Sequence, residues 1–186
     1  MKRLSLILAA AIHVAYVADA AGIPLTNGNN GLWYGAINVG TPPKPFTVLF
    51  DTGSADLFLP GTDCDSSCDG HTQYDPSSSS TAQDLKKSFL INNGDGLTVS
   101  GKQFTDTVSI GGFTGTSQTL GAAMRYSSAF GISQFPADGI LGMAFQKISK
   151  FDAPPIPQTL ANQHQLEEYV FSFKLAASGS ELYMGG

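Results

Sequence analysis

Short runs rich in Val, Ile, Phe, Tyr and Thr recur along this chain, and clusters of turn residues cut them apart. Residues 32–39, 46–51, 57–60, 105–110 and 169–175 therefore read as strands. Between them stand Gly40-Thr41-Pro42-Pro43, Gly111-Gly112 and Ser178-Gly179-Ser180, which supply turns. The run F-T-V-L-F at 46–50 is nearly all apolar, so that strand is expected to be covered on both faces. One segment, 156–165, reads as a helix: it follows Pro154-Pro155, and Ile156 with Leu160 gives it a short apolar face. Residues 75–81, D-P-S-S-S-S-T, read as a polar surface loop too short to be a linker. The pattern predicts a mainly β chain with one or two short helices.

The first 20 residues stand outside that pattern. Lys2 and Arg3 precede an apolar stretch from Leu4 to Val17, and Ala18-Asp19-Ala20 offers a small-x-small cleavage site. The apolar stretch is shorter than the 18 or so residues a spanning helix needs, and His13 interrupts it. Residues 1–20 are thus expected to be a cleaved signal peptide, leaving a secreted, extracellular chain with no membrane contact. Residues 21–186 show no internal boundary and are expected to form one domain.

Loss of Lys2, Arg3 and Asp19 would leave 8 basic against 14 acidic residues. That balance argues against a nucleic-acid partner, whose phosphates need clustered Lys and Arg. The charged fraction is only 13%. Few groups then change protonation on acidification, which suits an acidic environment. Two cysteines, Cys64 and Cys68, remain. In an exported chain they read as a disulfide closing a small loop; zinc is the competing reading, with His71 as a poor supplement and no second ligand pair. His71 and His164 are expected at the surface, neither having a Ser or Cys nucleophile at a recognisable motif.

The stretch richest in chemistry is Phe50-Asp51-Thr52-Gly53-Ser54, directly after the buried-looking strand. A carboxylate at a strand end followed by Thr-Gly sits on a tight turn. Backbone N–H groups can approach it there, and the hydroxyls of Thr52 and Ser54 can hydrogen-bond around it. Such an arrangement fixes an ionised Asp for general acid–base work. Three specified residues arise by chance in roughly one chain in forty of this length, so D-T-G alone is weak.

Its context is not. Residues 32–60, L-W-Y-G-A-I-N-V-G-T-P-P-K-P-F-T-V-L-F-D-T-G-S-A-D-L-F-L-P, closely resemble the amino-terminal lobe of pepsin-like aspartic proteases, fungal members above all. The resemblance continues at Tyr74-Asp75-Pro76-Ser77, Gly94-Asp95-Gly96, Phe104 to Gly111, Ala137-Asp138-Gly139-Ile140-Leu141-Gly142 and Glu181-Leu182-Tyr183-Met184-Gly185-Gly186. It implies a single lobe of barrel-like, orthogonally packed β-sheets and a secreted endopeptidase acting on peptides or proteins without metal or other cofactor. Asp51 would be one of two catalytic carboxylates holding a water, with Thr52, Gly53 and Ser54 supporting it. Ile140 would lie near the substrate cleft. A β-hairpin over residues 88–104, tipped by Asn93-Gly94-Asp95-Gly96, would be the flap that closes over bound peptide.

Three features depart from the family pattern. No second D-T-G or D-S-G follows Asp51, so the other carboxylate is expected from a second lobe or from a second copy of the chain. Asn93 stands where the family flap carries a tyrosine, and Phe58 replaces the tryptophan that bonds it. Ala21-Gly22-Ile23-Pro24-Leu25 follows the signal segment with no propeptide between, so a truncated form is expected. The alternative from a different class is a catalytically inactive secreted module that binds peptides or proteins in a half-cleft.

Overall fold

A computed structural model describes residues 21–28, 31–92 and 96–185. The signal segment lies outside them, and so does the hairpin tip Asn93, Gly94 and Asp95. Ten strands follow in chain order: β1 (Ala21–Asn27), β2 (Trp33–Val39), β3 (Lys44–Asp51), β4 (Leu57–Pro60) and β5 (Gln83–Asn92). Then come β6 (Thr98–Ile110), β7 (Phe113–Tyr126), β8 (Gly139–Gly142), β9 (Phe171–Lys174) and β10 (Ser180–Met184). Among the described residues one α-helix, α1 (Ile156–Asn162), lies between β8 and β9 and rests on β7.

The sheet runs β5-β6-β7-β4-β8-β3-β2-β1-β10-β9, and β6 pairs again with β2 through Asn38–Ser109 and Val39–Val108. That second pairing closes β2, β3, β8, β4, β7 and β6 into a six-stranded barrel, leaving no free edge in the ring. β5 extends β6 as a long hairpin, and β1, β10 and β9 extend β2 on the other side. Two pairs are parallel, β3 with β8 and β4 with β7, and both contain the shortest strands.

These short strands explain the core. Leu57–Pro60 and Gly139–Gly142 are buried at every position, because alternate residues enter two different apolar clusters. Leu57, Leu59 and Leu141 join Ile37, Val48, Val108 and Leu120 in one cluster. Phe58 and Ile140 join Phe89, Tyr126 and Phe130 in the other. In β3, Phe46, Val48 and Phe50 are buried, while Thr47 and Leu49 are only half-buried, so its second face is less covered than its composition suggests.

The expected elements shift in three places. The helix stops at Asn162, where Gln163 turns back to bond Thr116. The strand expected at 105–110 is the end of a thirteen-residue strand that begins at Thr98. His71 is not at the surface: it is 8% exposed, its Nε2 lies 2.7 Å from the Phe130 carbonyl oxygen, and its ring meets Tyr126 edge-on. The aromatic cluster beside the disulfide loop provides that shelter, which no nearby sequence signals. His164 is exposed, as expected. Cys64 and Cys68 form a disulfide that encloses one 3₁₀ turn and lies against the end of β7, where Ser67 Oγ receives the Tyr126 N–H at 2.8 Å.

Candidate active site

Asp51 is the last residue of β3, and the chain turns sharply after it. The Gly53 N–H donates to Asp51 Oδ1 at 2.8 Å, and Ser54 Oγ donates to Oδ2 at 2.6 Å. Each carboxylate oxygen thus has one donor, and the side chain stays half-exposed. Charge-assisted bonds of this kind fix a carboxylate in one rotamer. Thr52 is exposed and its hydroxyl is not among the groups that hold Asp51, unlike the expectation from its position.

The turn itself is stitched to the segment after β8. Gly142, Met143 and Ala144 donate their N–H groups to the carbonyls of Asp56, Asp51 and Ser54, at 3.0, 2.8 and 2.9 Å. This requires close backbone approach. A β-carbon at Gly142 would lie 2.4 Å from the Asp56 nitrogen and 2.5 Å from the Ala55 carbonyl carbon. The G-I-L-G sequence therefore fixes where Asp51 points, through the main chain and not through side chains.

Three buried carboxylates complete the frame. Asp56, 6% exposed, accepts from Ser149 Oγ at 2.5 Å, the Lys150 N–H at 2.7 Å and the Phe151 N–H at 3.2 Å. Asp138 accepts the N–H groups of Thr47 at 2.8 Å and Thr72 at 2.6 Å, tying the start of β8 to β3. Asp106, fully buried, accepts from the Tyr74 hydroxyl, Ser79, Thr81 and the Thr107 N–H. None has a cation within ion-pair distance among the described residues. Burial, then the bond to Asp106, pushes the Tyr74 phenol far above its ordinary value, and burial does the same to Tyr126. These groups brace the barrel, and sequence reading missed them because Asp is common in turns and their partners are distant in the chain.

A cavity of about 230 Å³ opens beside Gly53 and Ser54. Phe58, Ile91, Ile140 and Ile148 form its apolar walls, with Asp56 and Lys150 also lining it. Ile140 thus sits next to the Asp51 turn, and Ile91 reaches the cavity from the β5–β6 hairpin, paired with Val99. A larger cavity of about 370 Å³, walled by Asn27, Leu32, Tyr34 and Gln134, includes none of residues 51–54. Chemistry favours the smaller one. Cys64 and Cys68 line neither.

Residues 32–186 match the family model described as eukaryotic aspartyl protease. The chain belongs to that family. It is 38% identical over 170 residues to an aspartic protease of Phaffia rhodozyma, across 91% of this chain and 40% of that protein. Chymosin of Bos taurus is 36% identical over 165 residues, covering 88% and 42% respectively. Cathepsin D of Chionodraco hamatus is 38% identical over 185 residues, covering 94% and 46%. The chain spans less than half the length of these curated relatives. Membership of the family, the mainly β barrel and the peptidase class of the relatives agree with the geometry around Asp51.

Proposed function

We propose that this chain is the Asp51-bearing lobe of a secreted acid endopeptidase. The observation that carries the reading is the carboxylate of Asp51. It is held at both oxygens by Gly53 and Ser54, half-open to solvent and next to an apolar cavity. A second carboxylate, from outside residues 1–186, faces Asp51 about 3 Å away, so the two share one proton. The ionised member takes a proton from the water held between them as that water attacks the scissile carbonyl. The protonated member donates to the carbonyl oxygen. Gly53 and Ser54 position Asp51. Ile140 lines the peptide site, and the β5–β6 hairpin with Asn93, Gly94 and Asp95 at its tip closes over the substrate.

The second carboxylate comes from a following lobe or from a second copy. Support for a partner on one side comes from β9, which among the described residues has a strand neighbour on one flank only, near the exposed Tyr169, Val170, Leu175 and Tyr183. Residues 1–20 direct export, and no helix among the described residues is long and apolar enough to cross a membrane.

A second reading, a peptide-binding module without catalysis, draws on Phe58. It is 4% exposed and packs edge-on against Tyr126 and Phe130, so it offers no polar tip toward the hairpin. Digestion of a denatured protein between about pH 3 and pH 6, where a carboxylate pair shares one proton, separates the two. Cleavage that Asp51→Asn abolishes supports the peptidase. Peptide binding without cleavage, from a folded sample that also holds the second carboxylate, supports the module. Specific activity that rises with protein concentration identifies a second copy as the partner.

A further inference from the structure

The cavity beside Ser54 has apolar walls at Phe58, Ile91, Ile140 and Ile148, and its lining includes Lys150. The sequence as a whole is acidic, with a net charge of −5. A cation at this position thus runs against the charge balance of the molecule. Lys150, like Lys44, Lys87, Lys147 and Lys174, has no ion pair among the described residues; what sets it apart is its place in the cavity lining. Asp152 stands two residues along the chain, and the candidate partner in the same lining is Asp56. Both of its oxygens already accept donors, from Ser149, Phe151 and the main chain of Lys150 itself. That last bond anchors the backbone from which the lysine side chain extends, and the side chain is exposed.

We propose that Lys150 makes this cavity a subsite for an acidic side chain, selecting glutamate at one substrate position beside the scissile bond. The inference rests on the peptidase reading above and names its specificity. A volume of about 230 Å³ holds one side chain and ordered water. The glutamate stem lies along Ile140 and Ile148, and its carboxylate meets the Lys150 ammonium at the mouth. The charged groups around the site are Asp51 at the end of β3, Asp56 from the turn after it, and Lys147, Lys150 and Asp152 from the segment after β8. On β5, which contributes Ile91, the charged residues Asp84, Lys86 and Lys87 lie toward the other end of the strand. Lys147, three residues before Lys150, adds a positive charge that Asp152, two residues after it, offsets, so the preference rests on Lys150.

The test uses the whole chain and fluorogenic peptides with an apolar pair at the scissile bond and Glu, Gln or Lys at each flanking position in turn. At one position and pH 5.5, Glu is expected to exceed Gln in kcat/KM by about 3–10-fold, the scale of a partly exposed ion pair. Lys150→Met brings that ratio to about one, Lys150→Arg keeps it, and Lys150→Glu inverts it in favour of Lys. Because the side chain is exposed, each variant is expected to melt with the parent, which circular dichroism checks. At pH 3.5 the ratio shrinks, because a glutamate carboxyl with an ordinary value of about 4.3 is mostly protonated there. Equal turnover of Glu and Gln peptides at every position overturns the inference alone, as does a Glu preference that survives Lys150→Met. A folded sample that includes the lobe or copy supplying the second carboxylate, and cleaves no peptide in the series, overturns the peptidase reading and the inference with it.

Discussion

Replacing Gly142 by alanine places a methyl group inside the backbone of the turn that carries Asp51. Its carbon would stand 2.4 Å from the Asp56 nitrogen and 2.6 Å from the Ala55 Cα, both main-chain atoms that cannot rotate away. β8 and the turn must separate, which strains the bonds from Gly142 to Asp56 and from Met143 to Asp51. Two hydrogen bonds at about 1 kcal/mol each, with about 1–3 kcal/mol for overpacking, give a loss of about 3–5 kcal/mol. Against a total stability of about 5–15 kcal/mol, that is a large fraction. A domain of this size loses about 2–4 °C per kcal/mol, so melting should fall by about 10 °C. Activity measured well below the new melting point should fall by about 100-fold, the effect of a catalytic group displaced by about 1 Å. Gly22→Ala is the control. Its β-carbon meets only the Tyr183 ring at 3.5 Å, an ordinary contact, so stability should stay within about 0.5 kcal/mol. Urea and thermal melts of both variants, with the digestion assay, decide. A Gly142→Ala protein that melts within about 2 °C of the parent and digests as fast would refute the reasoning.

Other outcomes follow from the same structure. Reducing the Cys64–Cys68 disulfide, or replacing both residues by serine, should cost about 2 kcal/mol, the chain-entropy value for so short a loop, read as a lower urea midpoint. The Ser67 hydroxyl, then Arg125, holds the Asp65 carboxyl down at about 2 against an ordinary 3.8. A depressed carboxyl contributes stability that is present above pH 3.8 and lost as pH falls toward 2. Ser67→Ala should therefore flatten the urea midpoint across that acid window. Tyr74 and Tyr126 have raised phenol values, so unfolding releases their protons above pH 10. Stability should then fall by about 1.4 kcal/mol per pH unit for each, and Tyr126→Phe should remove one such contribution from an alkaline melt.

Much of the fold is local enough to read in the sequence. The all-apolar L-F-L-P and the strand ending in D-T-G identify β4 and β3, and the turn after Asp51 closes with bonds only two and three residues long. β7 was not legible, because T-G-T-S-Q-T lacks strand periodicity and includes Gln118, which is 3% exposed. Its burial comes from α1 and the 154 carbonyl packing over it, a tertiary effect. The first half of β5, Q-D-L-K-K-S, is polar and is a strand because β6 pairs with it on both sides of a bulge at Leu85 and Lys86. The carboxylates of Asp56 and Asp138 bond groups 66 to 95 residues away, so their roles appear only once the chain is folded. Lys150 reads as an ordinary surface lysine until β8 brings its segment to the Ser54 turn.

The central claim is that Asp51 touches the reacting centre. A peptide carrying a secondary alcohol in place of the scissile amide mimics the tetrahedral species, and its affinity is measured by titration calorimetry for the parent and for Asp51→Asn. The account predicts a loss of about 100-fold or more for the alcohol and a much smaller one for a matched uncleaved amide peptide, since only the mimic bonds the carboxylate pair. Equal losses for both ligands, or none, in a variant that melts with the parent, would place Asp51 in the frame of the lobe and not in its chemistry.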